Sequence, residues 1–565
     1  MAPIPVHIKH AGKTYDLLLD PDLPPNVFKD AVYNATGVPI DRMKVMVKGG
    51  VLKEDSSWKK IGPKAGQTFM VIGAAGELPK PPAKPIVFLE DMDDSELAEA
   101  LAKPVGLRNL GNTCYMNATV QALRAIPELQ VALTAPALQS TTPLPASLRD
   151  LYHNMSRTTD SITPVGFLQV LRQVNPQFAE VDRSGKGGMM GAAGGYAQQD
   201  AEECFQAIIN TLRNVPGLDA SGSSIAAHAG TGAAQSAIGE RKLVDQYLMG
   251  EMRRELTCDE APEEPASVTT EQVLKIECNI SITTNFMLTG IMNSLDTKVE
   301  KNSPSLGRQS IYSQKSRLTR LPSYLTVHMV RFAWRADIGK KAKIMRKVKF
   351  PLEFDALDLA TDELKAKLLP ASRKLKELEK ERTERRKVRK RTKTVPTAAI
   401  VAAGNAATGG TPATGDVEMA DAAPAPTEVK GGDLEAESVY REKEGKELAE
   451  LVDPSVKSDV GCSATGLYDL VAIVTHKGAA ADAGHYIGFV KKSVFHAARG
   501  QTQSTSPDGD GNPVSSLELS EDDEDWYKFD DEKVSVFPKE KLATLDGGGE
   551  DSSAYVLLYR SKPLV

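Results

Sequence analysis

From Arg373 the chain reads RKLKELEKERTERRKVRKRTK, with twelve basic and four acidic residues, and continues to about residue 428 as an Ala, Gly, Pro and Thr tract. That tract has too little apolar surface to offset the entropy of ordering it. Any stable core must therefore be assembled from segments on either side of it, far apart in sequence. The basic run itself reads either as a solvated helix laced with Glu/Lys and Glu/Arg pairs or as a nuclear-import or acidic-partner patch. Two further polar insertions, at 216 to 238 and 498 to 525, leave function to be sought between them.

What remains is ample for folding. A chain of 565 residues, 41% hydrophobic, accommodates two to four domains at roughly 150 residues each. The N-terminus MAPIPVHIKHAGKTYDLLL interleaves polar and apolar residues, and nothing later approaches a membrane-spanning apolar run, so neither secretion nor membrane insertion is expected. Five cysteines, Cys114, Cys204, Cys258, Cys278 and Cys462, are too few and too scattered for a disulfide framework. They suit a reducing cytoplasmic or nuclear compartment. With 69 basic and 75 acidic residues the net charge is only -6, so attraction to a charged partner must come from local patches.

The first 73 residues form a unit of their own. VHIKH and TYDLLLD, joined by AGK, predict a hairpin. NVFKDAVYNATG places Val27, Phe28, Ala31, Val32 and Ala35 on one helical stripe and stops at Gly37. MKVMVKGGVL and TFMVIG add short strands. The order strand, strand, helix, strand, strand resembles the ubiquitin-like β-grasp fold, with an unspecific small α+β domain as the alternative. Because the chain runs on past Gly73 as AAGELPK, the module is expected to dock and not to be conjugated. Residues 76 to 104, with Pro clusters and then acids, form a linker.

The segment GLRNLGNTCYMN, residues 106 to 117, raises the question of nucleophilic chemistry. Asn112 or Thr113 can cap a helix in which Met116, Val120 and Leu123 recur on one face. Cys114 then stands in its first turn, where unpaired N–H groups and the helix dipole favour thiolate. The NLGN turn can aim backbone N–H groups and the Asn109 amide at one spot, an oxyanion-hole arrangement. A buried cysteine in an ordinary turn is the competing reading. Partners appear some 370 residues later: YDLVAIVTHKGAAADAGHYIGFV puts His485 at the start of a strand, and WYKFDDEKVSVFP brings Asp530 and Asp531. One carboxylate can fix the tautomer of His485 so that its other nitrogen exchanges a proton with the thiol and the leaving amine. An edge histidine or a DDE turn alone would be weak, but three such elements in series are stronger.

GLRNLGNTCYMNATVQAL resembles the Cys box of the ubiquitin-specific proteases, and YDLVAIVTHKG, GHYIGFV and WYKFDDEKVSVF resemble their His box. YAQQDAEECF, LTRLPSYLTVHMVRF and KVKFPLEFD are similar to supporting segments of that family, over about 105 to 355 and 466 to 561. With the β-grasp unit in front, the architecture resembles the family's proteasome-associated branch. The resemblance implies an α+β chain: a ubiquitin-like domain at 1–75, a linker at 76–104, and a papain-like catalytic domain of thumb, palm and fingers at 105–562. A largely disordered insert at about 370–460 and a polar insert at about 498–525 interrupt it.

Carried over by residue, the resemblance makes Cys114 the nucleophile, His485 the general base and acid, Asp530 its orienting carboxylate and Asn109 the oxyanion donor. Gln199 would lie by the cleft, Asp200 and Glu203 would face the arginines of the ubiquitin tail, and Gly484 and Tyr486 would flank a slot admitting only diglycine. No cofactor and no metal are implied, since Cys258 and Cys278 stand alone where relatives carry paired CxxC zinc motifs. The implied partners are ubiquitin, polyubiquitinated proteins and the proteasome regulatory particle, with no nucleic acid, no membrane and a monomer before docking, in cytoplasm and nucleus. Loops at 333 to 343 and 476 to 484 are expected to cover the cleft and keep the free enzyme slow. A catalytically dead ubiquitin receptor would tolerate loss of Cys114, His485 or Asp530, yet all are present. An ordinary peptide protease fits the diglycine slot poorly, and nucleic-acid work lacks base-stacking aromatics beside the basic run.

Overall fold

The computed structural model describes residues 3–40, 42–48, 50–53, 56–73, 93–101, 103–134, 143–181, 195–219, 241–337, 339–403, 435, 437–480, 483–496 and 523–564. They fall into two compact units, Met1–Asp91 and Met92–Val565. Among the described residues no helix is long and apolar enough to cross a membrane.

The N-terminal unit is a five-stranded sheet in the order Lys13–Leu19, Ile4–His10, Thr68–Ile72, Lys44–Val47, Gly50–Val51. Its first and last strands run parallel at the centre, with His7 opposite Thr68. The helix Pro25–Thr36 lies across it, and Phe28 and Val32 close a core with Val6, Ile8, Val45, Phe69 and Val71. This is the β-grasp arrangement. The expected helical stripe is rotated by about one position, because Val27 is 44% exposed while Phe28 and Thr36 point inward.

In the larger unit, the helices Cys114–Leu123, Pro127–Leu133, Pro143–Met155, Val165–Val174 and Ala201–Leu212 make a lobe packed on one face of a ten-stranded sheet. The sheet's central path runs Lys533–Phe537, Trp526–Asp530, Ala483–Lys491, Leu467–Ala480, Ser553–Ser561, Tyr324–Val330, Ile276–Asn279. Side-chain alternation along its strands explains its two cores. Ala472, Val474, Val556 and Leu558 face the helical lobe, whereas Ile473, Leu557 and Tyr559 face a second cluster behind the sheet. A separate four-stranded antiparallel sheet, Ser267–Val273, Gly250–Cys258, Gln309–Arg320, Asp296–Asn302, supplies the extended fingers.

The insert at about 370–460 differs in part from the largely disordered segment expected, while the helix read over the basic run is present. Its described arms are helical, Asp362–Ala403 and Glu437–Leu451, and they pack as a hairpin around Leu375, Leu378, Leu448 and Leu467. Glu444, only 5% exposed, takes hydrogen bonds from Arg382 at 2.7 Å and Arg385 at 2.5 Å, and Glu437 receives Arg385 and Arg389. Arg382, Arg385 and Arg389 of the basic run are thus paired with acids of the second helical arm, a compensation that reading the run alone does not reveal. The tract from 404 to 434 lies outside the described residues, as do most of the insertion at 216 to 238, the insert at 498 to 525 up to residue 522, and the linker from 76 to 92. The linker's end forms a helix, Asp94–Leu101.

The two expected loops are largely strand. Phe332–Arg335 and Lys340–Lys343 pair as a hairpin, and Leu467–Ala480 stays on the ladder past His476, with Ala342 opposite Ala480. Small residues there do not interrupt backbone pairing, which needs only N–H and C=O groups.

Candidate active site

Cys114 is the first residue of the helix Cys114–Leu123 and is 3% exposed. Thr113 occupies the N-cap position but does not cap with its side chain. Its hydroxyl instead accepts from the Leu110 N–H at 2.9 Å. Asn109 Oδ1 accepts from the Gly111 and Thr113 N–H groups at 2.9 and 3.2 Å. The turn N–H groups expected to converge on an oxyanion are therefore spent in holding the turn, because a nearby amide oxygen competes for them. What remains for a negative charge is the first-turn N–H set of the helix, out of reach of any helical carbonyl. The Tyr486 N–H also points at Cys114 Sγ, 3.5 Å away.

His485 arrives from the strand Ala483–Lys491, directly across the ladder from Lys477. Its ring hydrogen-bonds Cys114, and its Nε2 lies 2.7 Å from Asp530 Oδ1. The Cys114 bond is the largest influence raising the imidazole; with Asp530 adding to it and burial opposing, its pKa is pushed up to about 9. Burial pushes the Asp530 carboxyl up, but His485 and Lys528 hold it below its usual range. Lys528 Nζ sits 3.0 Å from Asp530 Oδ2. Thiol, imidazole and carboxylate, from Cys114, His485 and Asp530, the last two 45 residues apart, lie in one series suited to proton exchange at sulfur.

Asp531, left as the alternative to Asp530, has a different environment. Its oxygens accept from Asn109 Nδ2 at 2.9 Å and Asn117 Nδ2 at 2.8 Å, and its carbonyl accepts from the Leu107 N–H at 3.0 Å. Its φ of 52° marks the tight turn that makes this possible. Gly106 faces the same turn so closely that a Cβ there would lie 2.4 Å from the Glu532 carbonyl oxygen. Asn117, one turn into the helix, carries no sequence signal for this role.

Asp200 caps the helix Ala201–Leu212, its Oδ1 accepting from the Glu202 N–H at 2.7 Å, and its Oδ2 accepts from the Tyr555 hydroxyl at 2.6 Å. It is more engaged internally than a free tail-facing carboxylate would be. Exposed Glu203 follows, its carboxyl raised by desolvation and by Asp200, with Lys341 of the hairpin acting the other way. Gln199 is half-buried in the extended stretch ahead. Gly484 has φ 154°, and a Cβ there would meet the Lys477 carbonyl oxygen at 2.4 Å and His476 Nε2 at 2.5 Å. Its missing side chain thus accommodates an imidazole of this same chain. Tyr486 is 1% exposed and packs edge-on to His476, at 4.8 Å between centroids.

His476 is fully buried, and among the described residues neither of its ring nitrogens has a hydrogen-bond partner, nor does either ring nitrogen of His328. Burial pushes each down to about 4, so both are neutral at ordinary pH. An unmet polar group of this kind costs about 1 to 3 kcal/mol. Sequence reading passed over both. As for the isolated cysteines, Cys258 ends a fingers strand, while Cys278 lies in the large sheet, where burial pushes its thiol up to about 12. No group of three or more His, Cys, Asp or Glu side chains able to hold a metal ion occurs among the described residues.

The sequence profile described as "Ubiquitin carboxyl-terminal hydrolase" matches residues 105–559, from just ahead of the Cys114 turn to the last strand of the sheet. The chain belongs to this hydrolase family. Ubiquitin carboxyl-terminal hydrolase 6 of Schizosaccharomyces pombe is 38% identical over 99% of both chains. Ubiquitin carboxyl-terminal hydrolase 6 of Arabidopsis thaliana is 34% identical, covering 99% of this chain and 98% of its own. Ubiquitin carboxyl-terminal hydrolase 14 of Caenorhabditis elegans is 27% identical over 99% of this chain and 93% of its own. As a member of the family, the chain is a cysteine-type deubiquitinase whose substrate is ubiquitin.

Proposed function

We propose that this deubiquitinase cleaves the isopeptide or peptide bond after the C-terminal glycine of ubiquitin, while docked on the proteasome through its N-terminal domain, and there removes or trims ubiquitin from proteasome substrates. The observation that carries the catalytic part is the Cys114, His485 and Asp530 series, with an imidazole that keeps its proton to about pH 9 beside the sulfur. Cys114 thiolate attacks the glycine carbonyl carbon and pushes its π electrons onto oxygen. The first-turn N–H groups and the Asn109 amide stabilise that charge. The tetrahedral centre collapses with cleavage of the C–N bond, and His485 donates its proton to the departing amine. Water then attacks the thioester, His485 takes its proton, and ubiquitin carboxylate leaves as the thiolate re-forms. Asp530 holds the imidazole in orientation throughout, and Asp531 holds Asn109. Gln199, Asp200 and Glu203 line the path of the basic tail, and Gly484 and Tyr486 border its narrow end.

Docking is supported by the outer face of the β-grasp sheet. Met46 and Met70 are cross-strand partners there, Ile72 lies opposite Lys44, and these apolar side chains are 37, 54 and 52% exposed. A contiguous apolar patch of this kind suits a protein partner. The hairpin Phe332–Arg335, Lys340–Lys343 brings Lys341 near Glu203, where a basic tail residue would otherwise sit. The free protein, a monomer of cytoplasm and nucleus, is accordingly slow, and the proteasome stimulates it.

The test is labelling by ubiquitin carrying a C-terminal electrophile, with and without proteasomes. An adduct on the wild type that Cys114→Ala abolishes is expected, and its absence under both conditions would reject hydrolysis. Deleting residues 1–75 should remove proteasome association and leave the adduct.

A further inference from the structure

The Asp530 carboxylate is shared between two groups. Oδ1 lies 2.7 Å from His485 Nε2, and Oδ2 lies 3.0 Å from Lys528 Nζ. Lys528 belongs to the same strand, Trp526–Asp530, and strand alternation puts the two side chains on one face. Its side chain is 30% exposed, more enclosed than the exposed Lys533, which stands opposite Asp530 on the next strand. Among the described residues, Lys528 is the one Lys or Arg within ion-pair distance of Asp530 or Asp531.

The charges around His485 show what such a cation does. Cys114, Asp530 and Asp531 each favour the imidazolium, so three anionic groups stand against one positive ring. His476, on the adjacent strand, is kept neutral by burial, and Lys477, across the ladder from His485, is exposed to solvent. Asp531 is held by the amides of Asn109 and Asn117, which fix a carboxylate without cancelling its charge. Lys528 does cancel charge: against the effect of burial, it and His485 hold Asp530 below the usual carboxylate range. A general acid works best with a pKa close to the working pH, and His485 already stands high, at about 9. Resting on the reading of the site as a ubiquitin hydrolase, we propose that Lys528 is a positioning residue of the reaction, its ammonium drawing part of the Asp530 charge away from His485 and so keeping the imidazolium acidic enough to protonate the departing amine. The carboxylate thereby orients the ring without holding its proton too tightly.

The test compares Lys528→Met, Lys528→Gln and Lys528→Arg in the full-length chain on proteasomes, with ubiquitin-aminocoumarin turnover followed across its alkaline limb. Lys528→Met and Lys528→Gln remove the charge, and Lys528→Gln keeps a donor for Asp530 Oδ2. In both, the limb is expected to move up by about half a unit, and the plateau to fall roughly two- to threefold. Lys528→Arg, which keeps the charge, should retain the wild-type limb. NMR titration of the His485 ring in the same variants needs no substrate and should show the same upward shift. A limb and a ring titration that stay put in either charge-removing variant would make the pair a surface contact and overturn the proposal. Movement downward would overturn it too, because Lys528 would then serve only as a strut for Asp530. A wild type that leaves ubiquitin-aminocoumarin intact, with the ring titration still shifted in the variants, is a different result, rejecting the hydrolase reading itself.

Discussion

Replacing Asp530 by Asn should move the alkaline limit of hydrolysis toward neutrality. His485 has its pKa raised from 6.5 to about 9, mainly by its bond to Cys114 and further by Asp530. That interval corresponds to about 3 kcal/mol in favour of the imidazolium. Because His485 and Asp530 side chains keep 34 and 35% of their surface in water, roughly half of it, about 1.5 kcal/mol, is expected after solvent screening. The sign follows from the direction. A pKa raised by folding gives a stabilisation fully present below pH 6.5 and lost as pH rises through about 9. Above that limit His485 also has no proton for the leaving amine. Ubiquitin-aminocoumarin turnover on proteasomes should therefore fall off near pH 9 in the wild type. The neutral amide in Asp530→Asn should lower that limb by about half to one unit, besides slowing the plateau. Titration of the His485 ring protons by NMR, in wild type and Cys114→Ser, gives an independent reading; the larger drop should follow loss of the sulfur. A wild-type limb near pH 6.5, or identical limbs in wild type and Asp530→Asn, would refute the coupling.

Asp531→Ala removes two charge-assisted bonds, to Asn109 and Asn117, and should reduce kcat about 10- to 100-fold and stability by about 1 to 3 kcal/mol, read by turnover and by denaturant melts. Gly484→Ala should abolish turnover while the N-terminal unit stays folded, because its Cβ would press on the Lys477 carbonyl and the His476 ring; electrophile labelling at the wild-type rate would contradict this. In the insert, Glu444→Ala removes the carboxylate bonded to Arg382 and leaves Arg385 to Glu437 and should cost about 3 kcal/mol, measurable by thermal unfolding, with alkylation of Cys114 little changed. Met70→Asp in the β-grasp sheet should weaken proteasome co-sedimentation at least tenfold and leave labelling of the free enzyme intact.

Several of these positions were readable from sequence because their chemistry is local. The Gly and Asn turn ahead of an apolar 3.6-residue period puts Cys114 at a helix start, and strand alternation around GHY and WYKFD puts His485 and Asp530 on neighbouring strands. The β-grasp unit was legible for the same reason, its hairpin and helix being short-range patterns. What was not legible depends on contacts distant in sequence. Asp531 takes Asn109's amide through a turn closed 422 residues away, and nothing in either segment announces it. The basic run read as a solvated helix or an acidic-partner patch because its partners Glu437 and Glu444 lie more than forty residues beyond it. The Ala-rich approach to His485 read as a loop because propensity is judged from side chains, whereas its ladder is made by backbone groups. His476 and His328 were invisible for another reason: a histidine with nothing to bond looks the same in sequence as one with two partners.

The closure of the Asp531 turn onto Gly106 and Asn109 has a consequence for biosynthesis. The ribosome makes the sulfur-bearing helix long before the turn that braces it, an interval of roughly 20 to 80 seconds at ordinary elongation rates. During that time the thiol has neither imidazole nor carboxylate beside it. A growing chain therefore cannot strip ubiquitin from itself or from its neighbours, and quality control can still mark a stalled copy for destruction.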